Sequence, residues 1–167
     1  MPSFELIDFR LSGTPRGPVV VADGVYTNAI VLGRPLTPVT GIDLGREGVV
    51  FEHDGQIVAT QTTAEVLGNP LVSLAWAANT LGRMGRGLRA GEVVLTGSIS
   101  KVLRATAGQS LRASFTRLGS VACPFAWARP RRSVSRRSVG GSMPGSAADR
   151  GSRWIRAIWY RPRCWCR

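Results

Sequence analysis

Val49-Val50-Phe51-Glu52-His53, then Asp54-Gly55, then Gln56-Ile57-Val58-Ala59-Thr60: two β-prone runs flank a two-residue turn. Asp-Gly tolerates the positive φ that a tight hairpin needs and matches the twist of the flanking strands, so residues 48–62 are expected to form an antiparallel hairpin. Working upstream, residues 28–32 (Asn-Ala-Ile-Val-Leu) read as a strand stopped by Gly33. Residues 19–22 (Val-Val-Val-Ala) form a β-branched run consistent with a buried strand, and residues 4–9 (Phe-Glu-Leu-Ile-Asp-Phe) give another, with a turn-rich loop at 14–18. Downstream, one helix is expected over residues 70–84. Asn69 is its N-cap, Pro70 its first residue, and Leu71, Leu74, Ala75, Ala78 and Leu81 its apolar face, with Gly82 or Gly85 ending it. Strands at 92–96 and 110–115, the latter after an Ala107-Gly108 turn, and a last one starting at 118–122 complete a β-rich α+β domain.

Charge divides the chain in two. The formal net charge of +12 is concentrated in residues 123–167, which hold eleven Arg and one acid, Asp149, whereas residues 1–122 hold eleven basic and nine acidic side chains. Residues 1–122 are therefore expected to be the folded domain, and 123–167 an Arg-rich disordered tail whose apolar residues lack strand or helix periodicity. That tail holds no lysine, and its Arg/Pro/Ser/Gly/Trp/Cys composition is what GC-rich DNA yields in a wrong frame, so a frameshift near residues 122–124 is a further expectation. Arg–Trp mixtures adhere to polyanions without specificity. A basic nucleic-acid or anionic-surface binder is thus the rival from another class, but charge confined to a tail speaks against a specific nucleic-acid site.

Cys123, Cys164 and Cys166 all fall in this tail; an odd count argues against a disulfide framework, and Cys164-Trp165-Cys166 lacks a second ligand pair for zinc. No charge-free apolar run approaches the ~18 residues of a membrane span, and the N-terminus does not read as a secretory signal, so no membrane partner and a cytoplasmic location are expected. A phosphate-binding loop, a dinucleotide glycine motif and a His-Glu-x-x-His zinc motif are all missing from the sequence.

Five stretches, in order, carry a resemblance. They are Phe4-Glu5-Leu6-Ile7-Asp8-Phe9-Arg10; Val21-Ala22-Asp23-Gly24 running into Ile30-Val31-Leu32-Gly33; Val66-Leu67-Gly68-Asn69-Pro70 with Ala75-Trp76; residues 88–98 (Leu-Arg-Ala-Gly-Glu-Val-Val-Leu-Thr-Gly-Ser); and residues 115–121 (Phe-Thr-Arg-Leu-Gly-Ser-Val). Together they resemble the C-terminal part of the 2-keto-4-pentenoate hydratase and 4-oxalocrotonate decarboxylase family, within the fumarylacetoacetate hydrolase superfamily. The resemblance implies that superfamily's mixed-sheet, barrel-like fold with one main helix, its N-terminal part missing here. It implies addition of water to 2-hydroxypenta-2,4-dienoate to give 4-hydroxy-2-oxopentanoate in aromatic meta-cleavage catabolism. The sister activity is 4-oxalocrotonate decarboxylation; hydrolysis of a carbon–carbon bond in an acylpyruvate is a more distant alternative. The implied cofactor is Mg²⁺ or Mn²⁺, the implied partner a small 2-oxo or 2-hydroxy dienoate acid, and the implied assembly an oligomer. A hard cation would polarise the ketone and stabilise the enolate.

Residue by residue, Glu5 matches the family's third metal carboxylate. Asp23 and Thr27 match the aspartate and second serine of an Ala-Asp-Asn-x-Ser-Ser segment and take the catalytic positions; Thr96 and Gly97 match a pocket-lining Thr-Gly turn and take the substrate-binding ones. Gly24, Tyr26 and Phe9 depart from the family's Asn, Ser and Ser. The family's Glu-x-Glu metal pair and its lysine near the substrate have no counterpart, since no Glu-x-Glu occurs and Lys101 is the sole lysine. The chain alone is therefore expected to be weakly active or inactive and not to retain the cation. Without the resemblance, Glu5 would be a solvent-facing strand residue, Asp23 a turn cap, Thr27 a strand hydroxyl and Thr96-Gly97 a strand-ending turn. His53 would be exposed and inert, and Trp76 core or edge packing of the helix.

Overall fold

The computed structural model describes residues 1–9, 11 and 16–126, and the backbone of residues 152–160. Among them nine strands form two antiparallel sheets: β1 (Pro2–Ile7), β2 (Thr27–Leu32), β3 (Gly48–His53), β4 (Gln56–Thr62), β5 (Leu95–Ser98), β6 (Leu103–Thr106), β7 (Ser110–Phe115), β8 (Gly119–Pro124) and β9 (Ser152–Tyr160). Two α-helices join them, α1 (Gly17–Ala22) and α2 (Pro70–Arg83). The first sheet runs β2-β1-β9-β5 with β6 also on β9, and the second runs β4-β3-β7-β8. The β-rich α+β class expected from the sequence is the class observed.

The hairpin that opens the second sheet forms as its turn dictates. Asp54 and Gly55 take φ of 50° and 78°, the left-handed pair of a two-residue β-turn, and β3 and β4 pair from Gly48 opposite Thr62 to His53 opposite Gln56. Along β7, Leu111, Ala113 and Phe115 are buried while Ser110 and Arg112 are exposed, the period of two that puts one face on the core. Phe4, Val49, Phe51, Leu111, Leu118 and Val121 anchor that core between the sheets. The sheets close on each other at Gly33. Its N–H donates to the Pro2 carbonyl at 2.9 Å, and the next residue, Arg34, bridges to Ser120 of β8.

Helix α2 follows its local signals. Asn69 Oδ1 accepts from the Leu71 N–H at 2.9 Å, Pro70 occupies the first turn, and Gly85, at φ 69°, follows the C-cap Met84. Its half-buried side is Leu74, Ala77, Ala78 and Leu81, beside β5. Leu71 and Ala75, assigned to the apolar face from spacing, are exposed, so that face is rotated toward Ala77. Trp76 is not packed in the core but stands 66% exposed.

Three further expectations are corrected. Residues 19–22 are helical and not a strand. Pro18 sits in the first turn, Asp23 caps the C-terminus, and no residue of α1 is buried, so the β-branched run has no sheet neighbour to favour extension. The strand expected from Glu92 begins at Leu95, after a 92–94 approach, and β6 adds a strand where none was read. Disorder over 123–167 does not hold for Ser152–Tyr160: this backbone forms β9 at the centre of the first sheet, between β1 on one side and β5 and β6 on the other. Trp, Ile and Tyr supply five of its nine residues, a composition that favours strands even where strict alternation is missing. The Cys164-Trp165-Cys166 motif lies outside the described residues. Among the described residues no helix is long and apolar enough to cross a membrane.

Candidate functional site

Glu5 is the residue around which a site can be built. It lies on β1, interior to the first sheet, where successive residues are buried on both faces, and only 7% of it is exposed. Solvent-facing, the residue-level alternative, is thereby excluded. The β1–β2 register supplies its partner. Glu5 pairs with Ile30, Leu6 with Ala29 and Ile7 with Thr27, with a shift between Leu6 and Ile7 that takes up one extra residue of β2. Glu5 and Ile7 share a face, so Thr27 is Glu5's diagonal neighbour, and its Oγ1 donates a hydrogen bond to Glu5 Oε1. The Thr27 hydroxyl thus satisfies one oxygen of this buried carboxylate.

The approach to Thr27 is unusual backbone. Gly24, Val25 and Tyr26 all take positive φ, 74°, 55° and 66°, and Thr27 N–H closes the turn on the Gly24 carbonyl at 3.1 Å. Left-handed φ at a β-branched residue is costly and needs a surrounding structure to hold it. Asp23 opens the same turn as the C-cap of α1, its N–H donating to the Val19 carbonyl at 3.0 Å, so Asp23 and Thr27 are placed by one loop. Tyr26 packs its ring on Phe9 with centroids 4.9 Å apart and planes tilted by 56°. The two positions where the sequence departs from a serine pattern therefore meet in space, a pairing not readable from residues 9 and 26 separately.

Thr96 and Gly97 belong to β5. Thr96 is buried, and Gly97, at φ 135°, falls where the β5–β9 register shifts between Leu95 and Ser98, so it marks a bulge and not a strand end. A Cβ at Gly97 would stand 3.2 Å from Val66 Cγ1. In the sheet order β9 lies between β5 and β1, which separates the Thr96-Gly97 backbone from that of Glu5 by about 10 Å at two strand spacings. Glu5 and Thr27 are thus brought together, Asp23 shares their loop, and Thr96-Gly97 stands two strands away.

A second buried carboxylate escaped the sequence reading. Glu47 is fully buried and accepts from the Arg117 backbone N–H at 2.8 Å on Oε2 and from Arg117 Nε at 2.7 Å on Oε1, while its own N–H donates to Thr63 Oγ1 at 3.1 Å. It ties the start of β3 to the β7–β8 turn. His53, expected to be exposed, is partly buried, its Nε2 3.7 Å from Asp54 Oδ2. Burial lowers the Met1 amine to about 6 and pushes the Cys123 thiol up.

Among the described residues no three His, Cys, Asp or Glu side chains converge in a way that could hold a metal ion. A hard divalent cation takes six or more oxygen ligands, several of them carboxylates. Glu5 with its hydroxyl partner is one donor, so the described residues do not fit such an ion by themselves.

Comparison with known proteins supplies the wider frame. The chain is 32% identical over 126 residues to a 4-oxalocrotonate decarboxylase of Pseudomonas putida, covering 75% of this chain and 48% of that protein. It is 32% identical over 127 residues to a 2-keto-4-pentenoate hydratase of Paraburkholderia xenovorans strain LB400, covering 75% and 47%. A 2-keto-4-pentenoate hydratase of Burkholderia vietnamiensis is 36% identical over 105 residues, 63% of this chain and 40% of the relative. The solved structure of 4-oxalocrotonate decarboxylase from Pseudomonas putida G7 complexed with magnesium and adipate superposes with a TM-score of 0.67 at 33% identity, over 74% of this chain and 47% of that one. No family model matches the chain. The chain spans about half the length of the curated relatives it matches.

Proposed function

The chain is a relative of the 2-keto-4-pentenoate hydratases and 4-oxalocrotonate decarboxylases, and from that premise we propose that it carries the C-terminal part of a fumarylacetoacetate-hydrolase-like fold. The reaction we assign to the complete form is hydration of 2-hydroxypenta-2,4-dienoate to 4-hydroxy-2-oxopentanoate. The buried Glu5, gripped by the Thr27 hydroxyl at the end of a strained turn, carries this reading. A carboxylate removed from water and held by a hydroxyl is costly to bury, which makes it a candidate for a functional site. Thr27 fixes the orientation of Glu5. To Asp23, on the same loop, we assign a catalytic role beside the substrate, and to Thr96-Gly97, on the β5 bulge, a substrate-binding one. The solved decarboxylase holds magnesium with adipate, which supports a divalent cation and a small carboxylic acid as the ligands of the complete site. Because the described residues do not supply the cation's shell, no step of the reaction is assigned to a metal here, and this chain on its own is expected to turn over substrate poorly.

Decarboxylation of 4-oxalocrotonate is the second reading, favoured by two solved structures similar to this chain, each a 4-oxalocrotonate decarboxylase, one complexed with magnesium and adipate and one with calcium and acetate. One experiment separates the possibilities. The chain is assayed with Mg²⁺ on 2-hydroxypenta-2,4-dienoate and on 4-oxalocrotonate, alone and fused behind the front half of a hydratase relative. We expect little turnover alone, diene hydration by the fusion, and loss of that hydration in its Glu5→Gln variant. Consumption of 4-oxalocrotonate instead would reassign the reaction. A fusion that folds yet is inert on both would remove the family-level function.

A further inference from the structure

Glu5 is buried in β1, and a carboxylate withdrawn from water needs a positive charge or a full set of donors beside it. The Thr27 hydroxyl is one donor. The strand register shows where a charge comes from. β1 lies between β2 and β9, and Glu5 stands opposite Ile30 on one side and opposite Arg156 on the other. Residues directly opposite in an antiparallel pair belong to one face of the sheet, with Cβ atoms about 4.5–5.5 Å apart. On β1 that face holds Ser3, Glu5 and Ile7. Their β9 partners are Ile158, Arg156 and Trp154, and their β2 partners are Leu32, Ile30 and Thr27. These nine positions contain one acid and one base, and the register sets the two opposite each other. Arg156 also falls in a gap on the far edge of β9, because β6 pairs with residues 152–155 and β5 with Ile158 and Tyr160. Among the described residues its registered partner is Glu5 alone. Arg104 of β6 stands opposite Trp154 and is exposed.

We infer that Arg156, at the register position opposite Glu5, is the positive charge that balances this carboxylate, and that it opposes the binding of a divalent cation there. The described residues offer such a cation one carboxylate and no converging set of ligands. A fixed charge of the same sign at the opposite position weakens that site further, since charges interact strongly at this range away from bulk water. An arginine keeps its proton throughout the range in which proteins stay folded, so the balance does not lapse with pH as a histidine's would. For its consequence the inference rests on the role proposed for Glu5. In the fusion described above, half-maximal hydration should need roughly tenfold more Mg²⁺ than in the Arg156→Gln version of that fusion. The charge balance itself stands on the register, whatever the reaction.

A double-mutant cycle on the full chain, read by urea unfolding, is the test. Arg156→Gln should lower the urea midpoint, because it leaves Glu5 buried without a countercharge. Adding Glu5→Gln to it should recover most of that loss, because the amide needs none. Arg156→Lys keeps the charge and should stay near the parent. Millimolar Mn²⁺ should raise the midpoint of Arg156→Gln and leave the parent and the double variant unmoved, since only the uncompensated carboxylate gains from a cation. Additive effects of Glu5→Gln and Arg156→Gln overturn the inference. So does a parent midpoint that Mn²⁺ raises and that Glu5→Gln makes insensitive. Should Arg156→Gln fail to fold, the double variant and Arg156→Lys must both fold, and the failure of either also overturns it. An intact cycle beside an inert fusion would remove the reaction proposed for Glu5 and uphold its charge balance.

Discussion

Arg117 and Glu47 show how one ion pair can cost very different amounts to break from its two ends. Glu47 is fully buried, whereas the Arg117 side chain is about half exposed, 48%. Removing the arginine strands a carboxylate in the core with only the Arg117 backbone N–H left to it; removing the charge of the glutamate leaves a guanidinium that can turn to water. Arg117→Ala should therefore destabilise by about 3 kcal/mol and Glu47→Gln by about 1–2 kcal/mol, read from urea unfolding of the two variants. Equal losses, or a larger loss for Glu47→Gln, would contradict the burial asymmetry. Glu47 was invisible in the sequence because nothing in Gly45-Arg46-Glu47-Gly48 is periodic, and the partner that makes its burial tolerable lies 70 residues away. Glu5 was visible through the motif around it, but its bond to Thr27 depends on a register shift in β2 that no local pattern announces.

Among the elements, the hairpin and α2 were legible because their stop and start signals are chemical: Asp-Gly demands positive φ, and Asn-Pro caps and starts a helix. Residues 19–22 were misread because β-propensity expresses side-chain packing against neighbouring strands, and α1 has no strand neighbour. Gly33 carries the junction between the sheets and gives the sharpest test at this scale. A Cβ there would stand 2.4 Å from the Ser120 carbonyl oxygen and 3.1 Å from that of Pro2. Gly33→Ala should force β2 and β8 apart and cost about 1–3 kcal/mol, as overpacking does. Gly55→Ala is the control, since nothing lies within 4 Å of that position and only its φ of +78° opposes a side chain, a strain of about 1–2 kcal/mol. The two variants should separate in kind. Gly33→Ala should also speed hydrogen exchange at the β1 and β8 ends that meet there, while Gly55→Ala should leave those amides unchanged.

For the whole molecule, the decisive question is what residues 127–167 contribute. By composition they look foreign to the body: eleven arginines, no lysine, and a net charge far from that of residues 1–122. Yet the strand drawn from them stands in the middle of the first sheet. β9 pairs with β1 over six registered residues, from Pro2 opposite Trp159 to Ile7 opposite Trp154, and on its other edge with β5 and β6. Local composition favours a strand at 152–160 but cannot reveal its place in the sheet, because its pairing partners β1, β5 and β6 lie far from it along the chain. A chain ending at Ala126 would leave the edge of β1 that carries Glu5 unpaired and separate β5 and β6 from the sheet. We therefore expect truncation after Ala126 to abolish cooperative unfolding of the first sheet while the β4-β3-β7-β8 sheet, whose pairings never involve β9, keeps its slow-exchanging amides. Hydrogen exchange on the full and truncated chains reads both sheets at once. Unchanged protection at Phe4, Leu6 and Ala105 in the truncated chain would mean that the tail is dispensable, as a frameshift product would be, and that the body closes its own sheet around Glu5.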